Sequence, residues 1–297
     1  MELRVLRYFL AVVREQSISG AAERLHISQP TLSRQLMDME QTLGKQLFIR
    51  GNRHITLTEE GMLLRKRAEE IVELVDKTEA EISCANEFVS GDIYIGAGET
   101  DNMRLLLQTA KKMQQQYPDV HYHIFSGNAQ DVTEKLDKGL LDFGLLVDFA
   151  NLSKYESLRL PAADSWCVLM RQDSPLAAKE QISPADLWDK PLICSRQVFL
   201  EKRRLSNWIR KSIDELNIVG TYNLIYNAKL MAEEGFGYVL CLEKLVQTPP
   251  TGELCQRPLQ DGRASYLDIV WKRNQIFSKA ASLFLQHLQT DFGTPEK

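Results

Sequence analysis

No stretch of the chain approaches the ~18 to 20 consecutive apolar residues that a membrane-spanning helix needs. The first ten residues, MELRVLRYFL, interleave charges with apolar side chains. They lack the basic start and unbroken hydrophobic core of a secretory leader, so a cytoplasmic protein is expected. The five cysteines (Cys84, Cys167, Cys194, Cys241, Cys255) are odd in number, scattered, and form no C-x-x-C pair. That excludes a disulfide scaffold and a structural zinc site, and fits a reducing compartment. Cys194 falls at the expected edge of a cleft, but no second cysteine follows closely in sequence, which favours a buried structural thiol over a redox sensor. The five histidines are equally dispersed, and His121 and His123, on one strand face, have no evident ligand partner. G-x-S-x-G, G-x-x-x-x-G-K-[ST] and H-E-x-x-H are all missing, and Gly96-Ala97-Gly98 is too short for a dinucleotide fingerprint. The expectation is a chain without catalytic residues, metal or cofactor.

What remains is 297 residues, 44% hydrophobic and 26% charged, about two average domains of folded protein. The net charge of −4 conceals a division. Residues 1–67 hold eleven Lys/Arg against seven Asp/Glu, whereas the other 230 hold 25 against 33. A basic head on an acidic body is the footprint of a polyanion binder, with nucleic acid the first candidate and a merely solvated face the alternative.

The pattern of the head sharpens this. Leu6, Phe9, Leu10 and Val13 fall at helical spacing over residues 3–15. Ser17 offers a cap for a short helix over Ala21–Leu25, whose two alanines permit close packing. His26-Ile27-Ser28 makes a corner, Ser28 caps the next helix, and Pro30 sits in its first turn. That helix, about 29–43, carries a buried stripe of Leu32, Leu36, Met39 and Leu43, with Thr31, Arg34, Gln35 and Asp38 opposite. Two helices joined by a tight corner, the second with a polar face, form a helix-turn-helix. Gln29, Pro30, Thr31, Ser33 and Arg34 would read the major groove, Arg34 by paired hydrogen bonds to guanine or a phosphate. Two short extended runs about Gly51-Asn52 form a wing that holds Arg50 and Arg53 toward the DNA backbone, and Thr58-Glu59-Glu60 starts a further helix.

AAERLHISQPTLSRQLMDMEQTLGKQLFIR followed by ITLTEEG resembles the DNA-binding head of the LysR-type transcriptional regulators over about 60 residues. The resemblance implies a winged helix-turn-helix over 1–58, a linker helix over 59–90, and a two-lobed, periplasmic-binding-protein-like α/β effector domain. It further implies operator DNA, a small-molecule effector and RNA polymerase as partners.

From Glu59 to about Phe88 there is no proline, and Leu64, Ala68, Ile71, Val75, Thr78, Ile82 and Ala85 follow at alternating steps of four and three. Such a heptad seam suits a homodimer, and two heads would read two half-sites; a helix lying on its own domain is the other reading. A homotetramer built on such dimers is equally compatible. The expected dimerisation residues are Leu64, Ala68, Ile71, Val75 and Ile82.

Past Ser90-Gly91 strands and helices alternate. Strands are expected at Ile93–Ile95, Val120–Ile124 and Leu140–Val147, then at Trp166–Met170, Leu192–Cys194, Tyr222–Tyr226, Phe236–Leu242 and Leu267–Trp271. Helices are expected between them, one over 201–213 and one capped by Asn227, and the order implies parallel sheets with helices on both faces. The first lobe takes 91–163 plus 265–297, and the second takes 164–264. YPDVHYHIFSGNAQDVTEKLDKGLLDFGLLV is similar to the first effector lobe of the LysR-type family. That resemblance implies a cleft between the lobes, walled by Glu99, Thr100, Asp101, Asp148, Ser195, Arg196 and Asn227, any of which is also readable as a helix cap, turn residue or surface charge. Where many members have Leu-Pro, this chain has Cys241-Leu242, which changes the back wall of that cleft. The acidic residues suit a cationic or hydroxylated ligand, and Arg196 suits an acid. The rival class is a metabolic enzyme with an appended DNA-binding head.

Overall fold

The computed structural model describes residues 2–51, 54–83, 89–148, 153–197, 203–262 and 264–293. The chain divides into two compact units, Met1–Ser83 and Cys84–Lys297.

The first unit contains α1 (Leu3–Glu15), α2 (Ile18–Arg24), α3 (Gln29–Leu43), the antiparallel pair β1 (Phe48–Arg50) and β2 (Ile55–Leu57), and α4 (Glu59–Ser83). The Ser17 hydroxyl accepts from the Gly20 amide, so α2 begins at Ile18, three residues before the first alanine of its pattern. His26 takes a left-handed φ of 54° at the corner, and the Ser28 hydroxyl accepts from the Thr31 amide to start α3. Gly44, at φ 65°, closes that helix in the left-handed conformation that glycine adopts without a Cβ penalty. The core joins Phe9, Val12, Ala21, Leu32, Leu36 and Met39, with the Phe9 and Phe48 rings 5.2 Å apart. Two sequence expectations shift. The buried stripe of α1 is Val5, Leu6, Phe9 and Val12, with Leu10 and Val13 at its margin, and Leu43 is 42% exposed because α3 outruns its packing partners there.

The wing is anchored from both sides. Glu40 accepts from the Leu47 and Phe48 amides, and the Thr58 hydroxyl donates to the Gln46 carbonyl while accepting from the Gly61 amide. A Cβ at Gly61 would lie 2.2 Å from the Leu47 carbonyl oxygen, so only glycine permits α4 to pass this close.

The seam expected on α4 is divided by this packing. Ala68 is fully buried in the unit's own core, and Leu64 and Val72 lean on the same core. Ala68 and Leu64 therefore belong to an internal face rather than a free one. Ile71 and Ile82 stay exposed, as do Met62, Leu63 and Leu74, and Val75 is half-buried. Ala85 lies outside the described residues.

The second unit holds two five-stranded sheets. In chain order the first sheet and its helices begin with β3 (Gly91–Ala97), α5 (Met103–Gln116), β4 (Val120–Ser126), α6 (Ala129–Asp137), β5 (Phe143–Val147) and β6 (Tyr155–Asp164). The chain then builds β7 (Trp166–Arg171), β8 (Leu192–Ser195), α7 (Arg203–Ile209), β9 (Ile218–Tyr222), α8 (Ile225–Glu233), β10 (Tyr238–Leu242) and β11 (Leu254–Pro258) of the second sheet. It returns to the first with β12 (Ser265–Lys272) and α9 (Lys279–Phe292). The sheet orders are β4-β3-β5-β12-β6 and β11-β7-β10-β8-β9.

Strands β3, β4 and β5 are parallel, as the alternating pattern implies, but β12 runs antiparallel to both β5 and β6, and β7 antiparallel to β10 and β11. The sheets are therefore mixed rather than parallel. Strands β6 and β11 are additions to the sequence reading, which placed no strand there. β9 ends at Tyr222, where a strand was expected to begin, because Ile225 already opens a helix. The expected helix over 201–213 is α7 followed by a single 3₁₀ turn, Ile213–Glu215. Phe143, Phe277 and Phe284 fill the first lobe with ring separations of 5.1 and 5.6 Å. Both sheets direct the carboxyl ends of their parallel strands to one cleft, the usual ligand position in open α/β folds.

Candidate nucleic-acid interface and ligand cleft

In the head, the first turn of α3 projects from the unit. Gln29, Pro30, Thr31 and Arg34 are exposed and Ser33 is half-buried, while Leu32 and Leu36 beneath them are completely packed. The Ser28 and Thr31 hydroxyls lie 2.7 Å apart, which fixes the Thr31 side chain across the helix start. The amides of that turn and its positive dipole end add an anion-favouring field to Arg34. Five of the seven residues expected to meet DNA thus share one surface. Arg53 lies outside the described residues, and Arg50 is described only by its backbone, in β1 opposite Ile55.

The cleft of the second unit encloses about 720 Å³ counted to its open mouth. From the first lobe it is lined by Gly98 and Glu99 after β3, Gly127 and Asn128 after β4, and Val147 and Asp148 at the end of β5. From the second lobe come Ser195, Arg196 and Gln197 after β8, and Tyr222 and Asn223 after β9. Trp166, Leu242 and Leu245 complete an apolar floor. Asp148, at a left-handed φ of 52°, accepts from the Tyr266 amide through Oδ1, and the Tyr222 hydroxyl donates to the Leu240 carbonyl at 2.8 Å. Desolvation by burial pushes the Tyr222 phenol well above its ordinary pKa, so it is a neutral donor. Among the described residues several bonds cross the lobes at this level, one of them from Gln197 Nε2 to the Val147 carbonyl at 3.5 Å. The Trp166 indole N–H donates to Ser265 Oγ at 2.7 Å, and the Ile225 amide donates to the Glu99 carboxylate.

Residues 86–293 match the model described as the LysR substrate binding domain, and residues 3–62 match that of the bacterial regulatory helix-turn-helix protein of the lysR family. The chain belongs to the LysR family. Among LysR relatives, it is 32% identical to the HTH-type transcriptional regulator CysL of Bacillus subtilis (strain 168), across 62% of this chain and 61% of that protein. It is 30% identical to BsdA of the same organism over 73% and 74% of the two chains. The crystal structure of CbnR, a LysR family transcriptional regulator, superposes with a TM-score of 0.76 at 19% identity, covering 98% of this chain and 99% of that one. A structure of full-length CbnR complexed with its target DNA gives a TM-score of 0.73, also at 19% identity. Because the family model spans the whole body, the alternative of an enzyme with an appended head is set aside.

Of the seven residues expected to wall the cleft, Glu99, Asp148, Ser195 and Arg196 line it. The other three do not. Thr100 is buried beneath the wall, donating to Asp164 Oδ2 at 2.7 Å and accepting from the Asn102 amide. Burial pushes the Asp164 carboxyl upward against the hydrogen bonds from Thr100 and Asn102. Asp101 pairs with Arg104 on α5. Asn227 is not a cap, because α8 starts two residues earlier behind Leu224, and its side chain is exposed. Cys194 is wholly buried rather than at the cleft edge, and burial pushes its thiol up to about 12. Sequence reasoning missed Gly127, Trp166, Gln197, Tyr222, Asn223 and Leu245. The signal for two of them was present, since Gly127 and Tyr222 fall at strand carboxyl ends.

Among the described residues no group of three or more His, Cys, Asp or Glu could hold a metal ion, and no helix is long and apolar enough to cross a membrane.

Proposed function

We propose that the chain is a sequence-specific DNA-binding transcriptional regulator, modulated by a small molecule held in the cleft. The observation that carries this is the first turn of α3, where Gln29, Thr31 and Arg34 are exposed over the fully packed Leu32 and Leu36. A helix so anchored can enter a major groove without loosening its unit. In this reading Gln29, Pro30, Thr31, Ser33 and Arg34 read bases and phosphates, and Arg50 and Arg53 hold the backbone. Residues 1–58 are the DNA-binding head, 59–90 the linker, 91–163 with 265–297 one effector lobe, and 164–264 the other. CbnR, whose structure with target DNA has this fold, supports the assignment.

The active form is a homodimer or a homotetramer of such dimers, paired through Ile71, Val75 and Ile82 together with Leu74. Exposed apolar side chains repeating along a helix of 25 residues support that pairing. RNA polymerase is the partner that family membership suggests. The effector acts by binding two arrangements of the lobes with unequal affinity.

The test is a footprint on DNA flanking the protein's own coding region, measured across salt. A protected site lost in Arg34→Ala is expected, and retention that is nonspecific and erased by salt would remove the reading. Ile82→Asp should yield monomers in sedimentation, and an intact dimer would reassign the interface.

A further inference from the structure

Three charged side chains line the cleft, and they stand in different situations. Asp148 is engaged by the Tyr266 amide. Glu99, at the end of β3 in the first lobe, accepts from the amide of Ile225, 126 residues later, at the start of α8 in the second lobe. Arg196 is exposed at the end of β8 and, among the described residues, has no ion pair. The cleft therefore has two carboxylates bonded to backbone amides and one guanidinium without an ion pair among the described residues, beside the apolar surfaces of Val147, Trp166, Leu242 and Leu245.

The contact of Glu99 has a second peculiarity. The residue before α8 is Leu224, which has no side-chain acceptor, so this nine-residue helix lacks a cap from its own neighbourhood. The acceptor is delivered from the opposite lobe instead. A carboxylate entering the cleft meets the exposed cation Arg196, and it meets Glu99 as a like charge already seated on an N–H donor. A cationic ligand would be drawn to Glu99 and Asp148, whose charges the neutral amides leave in place, but it would be repelled by Arg196 and would leave that guanidinium without a counter-charge.

We propose that Glu99 is an internal stand-in for the effector: the cleft takes a small monocarboxylate with an apolar body, whose carboxylate pairs with Arg196 and competes with Glu99 for the amino end of α8. Binding then releases one of the bonds that join the lobes and leaves those of Trp166 and Gln197 in place, which supplies the differential affinity that a ligand switch requires. This rests on reading the cleft as the effector site.

The experiment titrates the full-length protein calorimetrically with benzoate and phenylacetate, and with benzamide and benzylamine as neutral and cationic counterparts. The acids are expected to bind and the amide and amine to fail. Arg196→Gln should weaken the acids about tenfold or more, through loss of a charge-assisted fork. Glu99→Gln keeps an acceptor for the Ile225 amide while removing the competing charge, and should tighten the acids about tenfold at moderate salt. A purely structural Glu99 would move the melting midpoint without moving affinity, which overturns the proposal. So would preferential binding of benzylamine, or no acid binding up to about 10 mM. The ligand-free footprint on DNA is recorded on the same preparations. A sound footprint with failed titrations overturns this inference alone, whereas a missing footprint overturns the regulator reading.

Discussion

The polar side chains of α3 and those of the cleft are held in opposite ways. On α3, Gln29, Thr31 and Arg34 stand outside a core that ends at Leu32 and Leu36, so their polar groups are available while the helix is fixed from behind. In the cleft, Asp148 is tied to the Tyr266 amide, Glu99 to the Ile225 amide, and the Trp166 indole to Ser265. The head separates stability from display: one stripe of the helix packs and the other remains free. The cleft merges them, because the same atoms that would greet a ligand also hold the lobes in their present arrangement. A surface reader can thus change its specificity cheaply, and a cleft can change its occupancy only by rearranging bonds.

That contrast can be broken most forcefully in the head. Leu36→Ala should cost the first unit about 2–5 kcal/mol in a melting experiment, the range for deleting a packed leucine. Arg34→Ala should leave the melt within about 0.5 kcal/mol yet weaken specific DNA binding by about 1–3 kcal/mol in a footprint titration. Comparable losses of stability in both variants would erase the separation. In the cleft, Asp148→Ala should lower the stability of the fold by about 0.5–1.5 kcal/mol, because the Tyr266 amide loses its acceptor. An unchanged melt would mean that the cleft side chains are as free as those of α3.

A finer test uses acid. The Thr109 hydroxyl donates to Asp291 at 2.6 Å and Lys112 lies beside it, which together hold that carboxyl below its ordinary value. A depressed carboxyl contributes stability above the unfolded pKa and loses it as pH falls through the folded one. Wild type should therefore melt above Asp291→Asn at pH 7, and the gap should close as pH falls below the ordinary carboxylate range. The smallest effect concerns thiols. Cys167, Cys194 and Cys241 are buried, with Cys167 and Cys241 sulfurs 3.6 Å apart, and the Cys241 hydrogen bond and desolvation push the Cys167 thiol far upward. None of the three should react with a thiol reagent until the protein is unfolded, and rapid labelling of the native form would place them on an accessible wall.

The difference between the regions also governs what the bare sequence disclosed. The DNA-reading face lies within a few consecutive residues, so helical spacing alone separates Leu32 and Leu36 from Thr31 and Arg34. The corner at His26-Ile27-Ser28 and the cap at Thr58 were readable for the same reason: each is a local competition between side chain and backbone. The cleft draws on seven separated segments, and no spacing records which strand ends meet. Thr100, Asp101 and Asn227 looked equivalent to Glu99 and Asp148 because all are polar residues near strand or helix ends, and only the tertiary hydrogen bonds tell them apart. Strand β6 escaped notice because Pro161 and several small or charged residues interrupt its alternation, although it is the edge strand of its sheet, where proline is tolerated. On α4, heptad spacing alone assigned Ala68 to a partner, but the same spacing serves a core within one unit.

Asp164 and Ser265 face each other as register partners on β6 and β12, although a hundred residues of the second lobe intervene. In topological terms that lobe is an insertion at the tip of a hairpin, and the host sheet closes without it. A chain in which residues 165–264 give way to an Asn-Gly turn should keep a folded first lobe with a sharp thermal transition of its own, beside that of the head. Such a nested layout lets the guest be exchanged wholesale, so recombination can retool half of the binding wall while the host keeps its register.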